Sequence, residues 1–242
     1  MTNFDRYTSL RQSSRLFQDG FKRRLEEVIA CLRAGFPSGE FRLLDVGTAD
    51  GMMIDHLQKL FPKGFFVGIE SHSGLVREAH RQGRDVVRCF AQRLPFGTES
   101  FDVITLISTL KHIPEYEEAL SECHRVLVPS GHLILSDPTP WGLRLGLWRG
   151  HFERRYLPNT WSLSVAEKRL SDAGFEVIAG YRYMPLPFEH PGSRILESVG
   201  SSLGVSSFFM QQLVHARRMT RQGTGASTPA ARAGAGEKTD CV

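Results

Sequence analysis

Long apolar runs are missing from this 242-residue chain. No stretch reaches the roughly eighteen residues that a membrane helix requires, so a spanning segment is not expected. A secretory pattern is lacking too. The start, "MTNFDRYTSLRQSSR", has no apolar core followed by a cleavage site, which argues against export. Cysteine is scarce, and Cys31, Cys89, Cys123 and Cys241 show no C-x-x-C spacing. They read as reduced thiols of a cytoplasmic protein, with no metal cluster. No D-x-D or H-x-x-x-H set points to a divalent ion, and no internal repeat is visible.

A strong excess of one charge is also lacking. The net charge is +4, and it is localised. Segment 138–160 sets Arg144, Arg149, Arg154 and Arg155 against Glu153, while the tail 217–242 holds five basic residues and two acidic ones. Each contributes +3, so the remainder carries −2. Basicity confined to a loop and a tail weakens any reading as a nucleic-acid groove.

After residue 40 the chain alternates strand and helix patterns. "FRLLDV" (41–46), "FFVGIE" (65–70), "DVVRCF" (85–90), "FDVITLI" (101–107) and "HLILSD" (132–137) read as buried strands. Between them, Met53, Ile54, Leu57, Leu60 and Phe61 form one helical face, and Gly83 closes a helix begun in "SHSGLVREAH". Pro114 suits the first turn of the next helix, whose stripe is Ala119, Leu120, Cys123, Val126 and Leu127. A capping box, Ser164-Val165-Ala166-Glu167, predicts a further helix ending at Gly174. "FEVIAGYRY" (175–183) and "FFMQQLVHARR" (208–218) complete seven strands.

This order predicts an α/β fold, Rossmann-like and doubly wound. Its sheet is seven-stranded and mostly parallel, with helices on both faces. Phe17, Phe21, Leu25, Val28 and Leu32 fall at helical spacing, so 1–40 reads as a helical N-terminal segment or lid. The domain proper is expected at 41–218, with cap insertions at about 138–160 and 184–207. The low-complexity stretch 219–242 is expected to be disordered.

The loop after the first strand carries the chemistry. A dinucleotide fingerprint needs G-x-G-x-x-G, but counting from Gly47 the other positions hold Ala49 and Met52. A phosphate-binding P-loop needs a Gly-Lys-Ser/Thr ending, which is absent. The pattern present is Asp45-x-Gly47-x-Ala49-x-Gly51. It resembles motif I of the class I S-adenosylmethionine-dependent methyltransferases, D-x-G-x-G-x-G, with one methyl group added at Ala49. An alanine fits there provided φ stays below zero. Glu70 closes the second strand, and "FAQRLPFGTESFDVITLISTLKHIPE" (90–115) and "RVLVPSGHLILSDP" (125–138) resemble the family's next blocks in order. The likeness covers roughly residues 40–185.

That resemblance implies S-adenosyl-L-methionine as cofactor and S-adenosyl-L-homocysteine as product. It implies cofactor contacts at Asp45, Gly47, Thr48, Gly51, Glu70, Ala91, Gln92 and Ser108, with Glu70 on the ribose hydroxyls. The family's adenine-contacting aspartate falls on Phe90, whose ring is left to pack on the base, and Ser71 stands where an apolar residue is common. Each residue has a plainer reading beside this one. Gly47 and Gly51 serve equally as turn glycines, Glu70 as a solvated strand-end charge, and Ser108 and Thr109 as helix-cap residues. His112 is either a general base or a residue that orients its loop by hydrogen bonding. His151 and His190 are weaker candidates. Segment 138–160 interleaves Trp141, Trp148, Phe152 and Tyr156 with arginines. It reads either as a lid packed on the core or as an acceptor cap resting on lipid.

The expected function is methyl transfer to a small-molecule, lipid-linked or glycoconjugate acceptor, with O-methylation favoured, C- or N-methylation left open and metal not needed. The alternatives are an RNA methyltransferase, which lacks here an N/D-P-P-Y/F block, and a methyltransferase-like binding subunit without catalysis. The expected location is cytoplasmic, with peripheral membrane contact through 138–160 as one option.

Overall fold

A computed structural model describes residues 14–148, 159–184 and 192–220. The segment expected to form the tail, 219–242, lies outside these residues from 221 onward, as do 149–158 of the cap and residues 1–13. The described chain runs α1 (Arg15–Gly35), β1 (Arg42–Val46), α2 (Met52–Leu60), β2 (Phe65–Glu70), α3 (Ser73–Arg81), β3 (Val86–Arg88) and β4 (Phe101–Ile107). A 3-10 turn at Leu110–His112 leads to α4 (Tyr116–Val126) and β5 (Leu127–Pro138). Then come α5 (Pro140–Trp148), α6 (Leu163–Asp172), β6 (Phe175–Tyr183), α7 (Ser193–Ser202), a 3-10 turn at Ser206–Phe208, and β7 (Gln211–Arg218).

All seven strands join one sheet in the order β3-β2-β1-β4-β5-β7-β6. The first five pair in parallel, and β7 runs antiparallel between β5 and β6. Strand order reverses between β1 and β4: the chain steps outward to β3, then returns to the other side of β1. Both strands end in open loops there, which is where open α/β sheets bind ligands.

Alternation along the strands sorts the core into two layers. Leu44, Val46, Ile104, Leu106, Leu133 and Leu135 face α4 and α6, with Leu120, Cys123, Ala166 and Leu170 packed on them. Leu43, Val103, Ile134 and Leu213 face the opposite layer, where α1 contributes Leu25, Val28 and Leu32 and α2 contributes Met53, Ile54 and Leu57. Leu60 departs from its expected face and is exposed, because α2 ends at that residue. Charged pairs fasten α1 down. Arg23 is buried between Glu27 and Glu197, 2.8 Å from the latter, and lies over the Tyr183 ring.

Two helix starts differ from the sequence pattern. The N-cap of α6 is Ser162, whose hydroxyl accepts from Val165 N at 3.4 Å, two residues before the Ser164 expected in that role. The Glu167 carboxylate instead lies against Gly180 on β6. Likewise α4 begins at Tyr116 with Glu115 as N-cap, placing Pro114 ahead of the helix. The Pro129–Gly131 stretch falls inside β5, beyond the end of α4 at Val126. It bends the long β5, where Ser130 takes φ +62 and the register with β4 shifts.

Candidate active site

The motif begins on a buried strand. Asp45 is 3% exposed, and its carboxylate accepts from Thr105 Oγ1 on β4 at 2.7 Å. That bond ties the two switch-point strands together just below their loops. Beyond it the backbone takes three left-handed residues in alternation, Gly47 (φ +75), Ala49 (φ +57) and Gly51 (φ +77). Gly47 is required twice over, since a Cβ there would stand 2.3 Å from Thr109 Cγ2. Ala49 does not keep φ below zero as expected. It shares the left-handed geometry of the glycines and carries the strain that this costs a residue with a Cβ. Its amide donates to Glu70 Oε2 at 3.1 Å.

Glu70, half-buried at the end of β2, also accepts from His72 N at 2.8 Å and Ser71 Oγ at 3.3 Å. A carboxylate has about four acceptor sites, so capacity for an incoming hydroxyl remains. Thr48 is buried, and its Oγ1 has no hydrogen-bond partner among the described residues. A buried hydroxyl of this kind is normally met by water or a ligand. After β3, Phe90 is 65% exposed while Ala91 is buried. Gln92 donates through Nε2 to Glu115 Oε2 at 2.9 Å, which ties this loop to the start of α4. An open loop, an unmet hydroxyl, an acceptor carboxylate and an exposed aromatic ring therefore share one end of the sheet. This set fits a nucleoside with a ribose diol.

Beyond β4 the backbone turns sharply at Ser108, with φ +58 and its amide bonded to Ser136 O at 2.6 Å. Thr109 Oγ1 reaches Gly47 O at 3.4 Å. In the short helical turn that follows, His112 is exposed and Lys111 is buried. The Lys111 ammonium donates to Ser108 O and lies 3.4 Å from Asp137 Oδ1 at the end of β5. Burial lowers the Lys111 pKa, and burial raises the Asp137 pKa to about 6 against the pull of Lys111. Lys111 and Asp137, unlike His112, do not stand out in the sequence. Their signal is faint: a lysine in the apolar "STLKHIP" run, and an aspartate closing the apolar strand "HLILSD".

Of the expected cap, α5 is described. It buries Gly142 and Leu143 and leaves Trp148 81% exposed, while Trp141 packs edge-on to Phe208. His151 and His190 lie outside the described residues, as does Arg149. No group of three or more metal-binding side chains occurs among the described residues. No helix among them is long and apolar enough to cross a membrane.

The sheet order, the left-handed loop and the acidic end of β2 occur together in one fold class, and sequence comparison agrees. A family model described as a methyltransferase domain matches residues 44–135. Over those residues the chain is similar to the class I S-adenosylmethionine-dependent methyltransferases.

Among curated relatives, a ubiquinone/menaquinone biosynthesis C-methyltransferase of Desulfotalea psychrophila is 30% identical over 139 residues, which cover 56% of this chain and 54% of that protein. A demethylmenaquinone methyltransferase of Thermus thermophilus is 28% identical over 174 residues, covering 68% of this chain and 74% of its own. The chain thus spans between about half and three quarters of these two relatives. Among solved structures, an S-adenosylmethionine-dependent methyltransferase from Thermotoga maritima superposes with a TM-score of 0.65 at 18% identity, covering 89% and 96% of the two chains. That likeness speaks to the fold.

Proposed function

We propose that this protein transfers the methyl group of S-adenosyl-L-methionine to the oxygen of a small-molecule or lipid-linked acceptor with a largely apolar body. The observation that carries the cofactor reading is the paired arrangement of the Gly47–Gly51 loop and Glu70 at the β1–β4 switch point. Bound there, the cofactor supplies an already activated methyl group on a sulfonium sulfur. The protein's task is then alignment and exclusion of water, which needs no metal or triad.

The residues divide that task. Asp45 holds β1 against β4, and Gly47 and Gly51 let the loop backbone approach the ligand. Thr48 Oγ1 meets a ligand polar atom, and Glu70 accepts from the ribose hydroxyls. Phe90 stacks on the adenine, while the backbone at Ala91 and the amide of Gln92 border its edge. Ser108 lines the path of the methyl group. His112, exposed on its turn, orients the loop after β4. The cap at 138–160 covers the acceptor, and the exposed Trp148 supports contact with an apolar acceptor or a lipid surface. Segments 138–160 and 184–207 act as caps on one methyltransferase domain, with α1 bound across it. The names of the relatives, which concern quinone methylation, support an apolar acceptor for this chain.

Incubation with S-adenosyl-L-[methyl-³H]methionine and a whole extract of the source cells tests the reading. Tritium should appear in an extractable product and be absent after Gly47→Ala. Label recovered only in RNA would contradict it.

A further inference from the structure

Helix α7 is built inside out. Its inward stripe is Ser193, Glu197 and Gly200. The Glu197 carboxylate accepts from Arg23 Nη2 and from Met184 N, both at 2.8 Å, and a Cβ at Gly200 would stand 2.8 Å from the Phe209 ring. Arg194 pairs with Glu26 and Glu27 of α1. Ile195, Leu196, Val199 and Leu203 recur at helical spacing on the other side, and each is between 47% and 71% exposed. A surface helix ordinarily turns its apolar stripe to the core. Here the charged residues tie the helix down, and the apolar stripe is left outside.

The surface continues from α7 through the 206–208 turn to α5. Val205 N bonds to Gly200 O at 2.9 Å, which folds the turn against the end of α7, and both Val205 and Phe208 are exposed. Phe208 meets Trp141 edge-on, with ring centroids 5.7 Å apart. On α5, Trp141, Arg144 and Trp148 stand at i, i+3 and i+7, hence on one face, and all three are exposed. Across 138–148 and 192–208 the single carboxylate is Glu197, which Arg23 holds inward. The exposed charges of this face are therefore Arg144 and Arg194. Three more arginines, Arg149, Arg154 and Arg155, follow α5 in the sequence against one acid, Glu153.

We infer that α5, the 206–208 turn and α7 form one face that docks on a phospholipid surface with anionic headgroups. The outward stripe of α7 enters the apolar boundary, the two tryptophans sit at headgroup depth, and Arg144 between them meets lipid phosphate. A two-fold pair of copies fits this face less well. It would set arginines against arginines, with no exposed carboxylate to meet them. The face also lies at the end of the sheet that holds the crevice. Helix α5 starts two residues after β5 ends, the turn leads into the antiparallel β7, and Glu197 fastens α7 to Met184, just past β6. Docking thus brings the crevice beside the membrane, which deepens the lipid-linked acceptor reading and to that extent rests on it.

Sedimentation of the full chain with vesicles of phosphatidylcholine, alone or mixed with phosphatidylglycerol, tests the inference. The protein should sediment with the mixed vesicles, stay in solution with the neutral ones, and be released by high salt. Ile195→Asp with Leu203→Asp should weaken binding about tenfold or more, and Arg144→Gln about fivefold. Brominated lipid should quench the wild-type tryptophan fluorescence, and Trp148→Phe should lose part of that quenching. No uptake by anionic vesicles, equal uptake by neutral ones, or full binding by the double variant overturns the inference. So does a dimer that the double variant abolishes, without vesicle uptake, which assigns the face to a second copy. Calorimetry with S-adenosyl-L-homocysteine on the same samples tests the methyltransferase reading separately. Ligand binding without vesicle uptake overturns the docking face alone. Vesicle uptake without ligand binding upholds the face and overturns the methyltransferase reading.

Discussion

Ala49 holds a backbone conformation that its neighbours two residues away assign to glycine. The left-handed region costs a residue with a Cβ roughly 1–2 kcal/mol. The loop nevertheless adopts it, because the Ala49 amide must reach Glu70. Replacing Ala49 by glycine should therefore raise stability by about 1 kcal/mol in urea denaturation and leave Glu70 in place. A loss of stability would mean that the alanine methyl packs usefully, which its 7% exposure allows. At this scale the sequence was legible where local pattern fixes a residue's position. Asp45, Gly47, Gly51 and Glu70 stand at strand ends that the apolar runs already mark. The φ of Ala49 was not legible, since nothing local distinguishes a loop alanine that must pass the left-handed region from one that need not. The inward turn of Lys111 and outward turn of His112 were also hidden, because a 3-10 turn reverses adjacent side chains with no periodic signal.

Among the elements, α1 meets the sheet across a seam that contains two histidines. His132 on β5 packs edge-on to Phe36, just past the end of α1, and its Nδ1 lies 2.8 Å from His215 Nε2 on β7. Burial, with His132 beside it, lowers the His215 pKa to about 4. Burial and then Arg217 lower that of His132. A histidine depressed in the folded state contributes stability above its unfolded value of 6.5, and loses it as pH falls toward 4. Asp137 acts in the opposite sense. Raised from 3.8 to about 6, it contributes stability at low pH that is lost as pH rises through that window. Denaturation midpoints measured between pH 7 and 4.5 should thus fall on acidification. The fall should be shallower in His215→Gln and steeper in Asp137→Asn. Equal slopes in all three proteins would contradict this assignment.

The elements themselves were largely readable from apolar runs. Strands β1, β2, β4 and β6 lie within a residue of their sequence bounds. The start of α6 was misread, because Ser162 and Ser164 are both good caps and only the packing of Glu167 against β6 selects between them.

At the scale of the whole molecule, the reversal of strand order between β1 and β4 organises everything else. One end of the sheet gathers the glycine loop, Glu70, the Ser108 turn and the Lys111–Asp137 pair. The sequence conveyed this because alternating strand and helix patterns dictate right-handed crossovers and hence the crevice. It did not convey that β7 inserts antiparallel between β5 and β6, and that insertion brings Gln212 beside Asp137. The central claim is that the crevice binds S-adenosyl-L-methionine through Glu70. Titration calorimetry with S-adenosyl-L-homocysteine and with NAD, on the wild-type protein and on Glu70→Ala, tests it most directly. Charge-assisted hydrogen bonds contribute about 1.5–3 kcal/mol each, so the substitution should weaken binding of the homocysteine ligand by roughly ten- to a hundredfold or more. NAD should give no heat of binding. Tight NAD binding without a response to S-adenosyl-L-homocysteine, or an affinity unchanged in Glu70→Ala, would contradict the account.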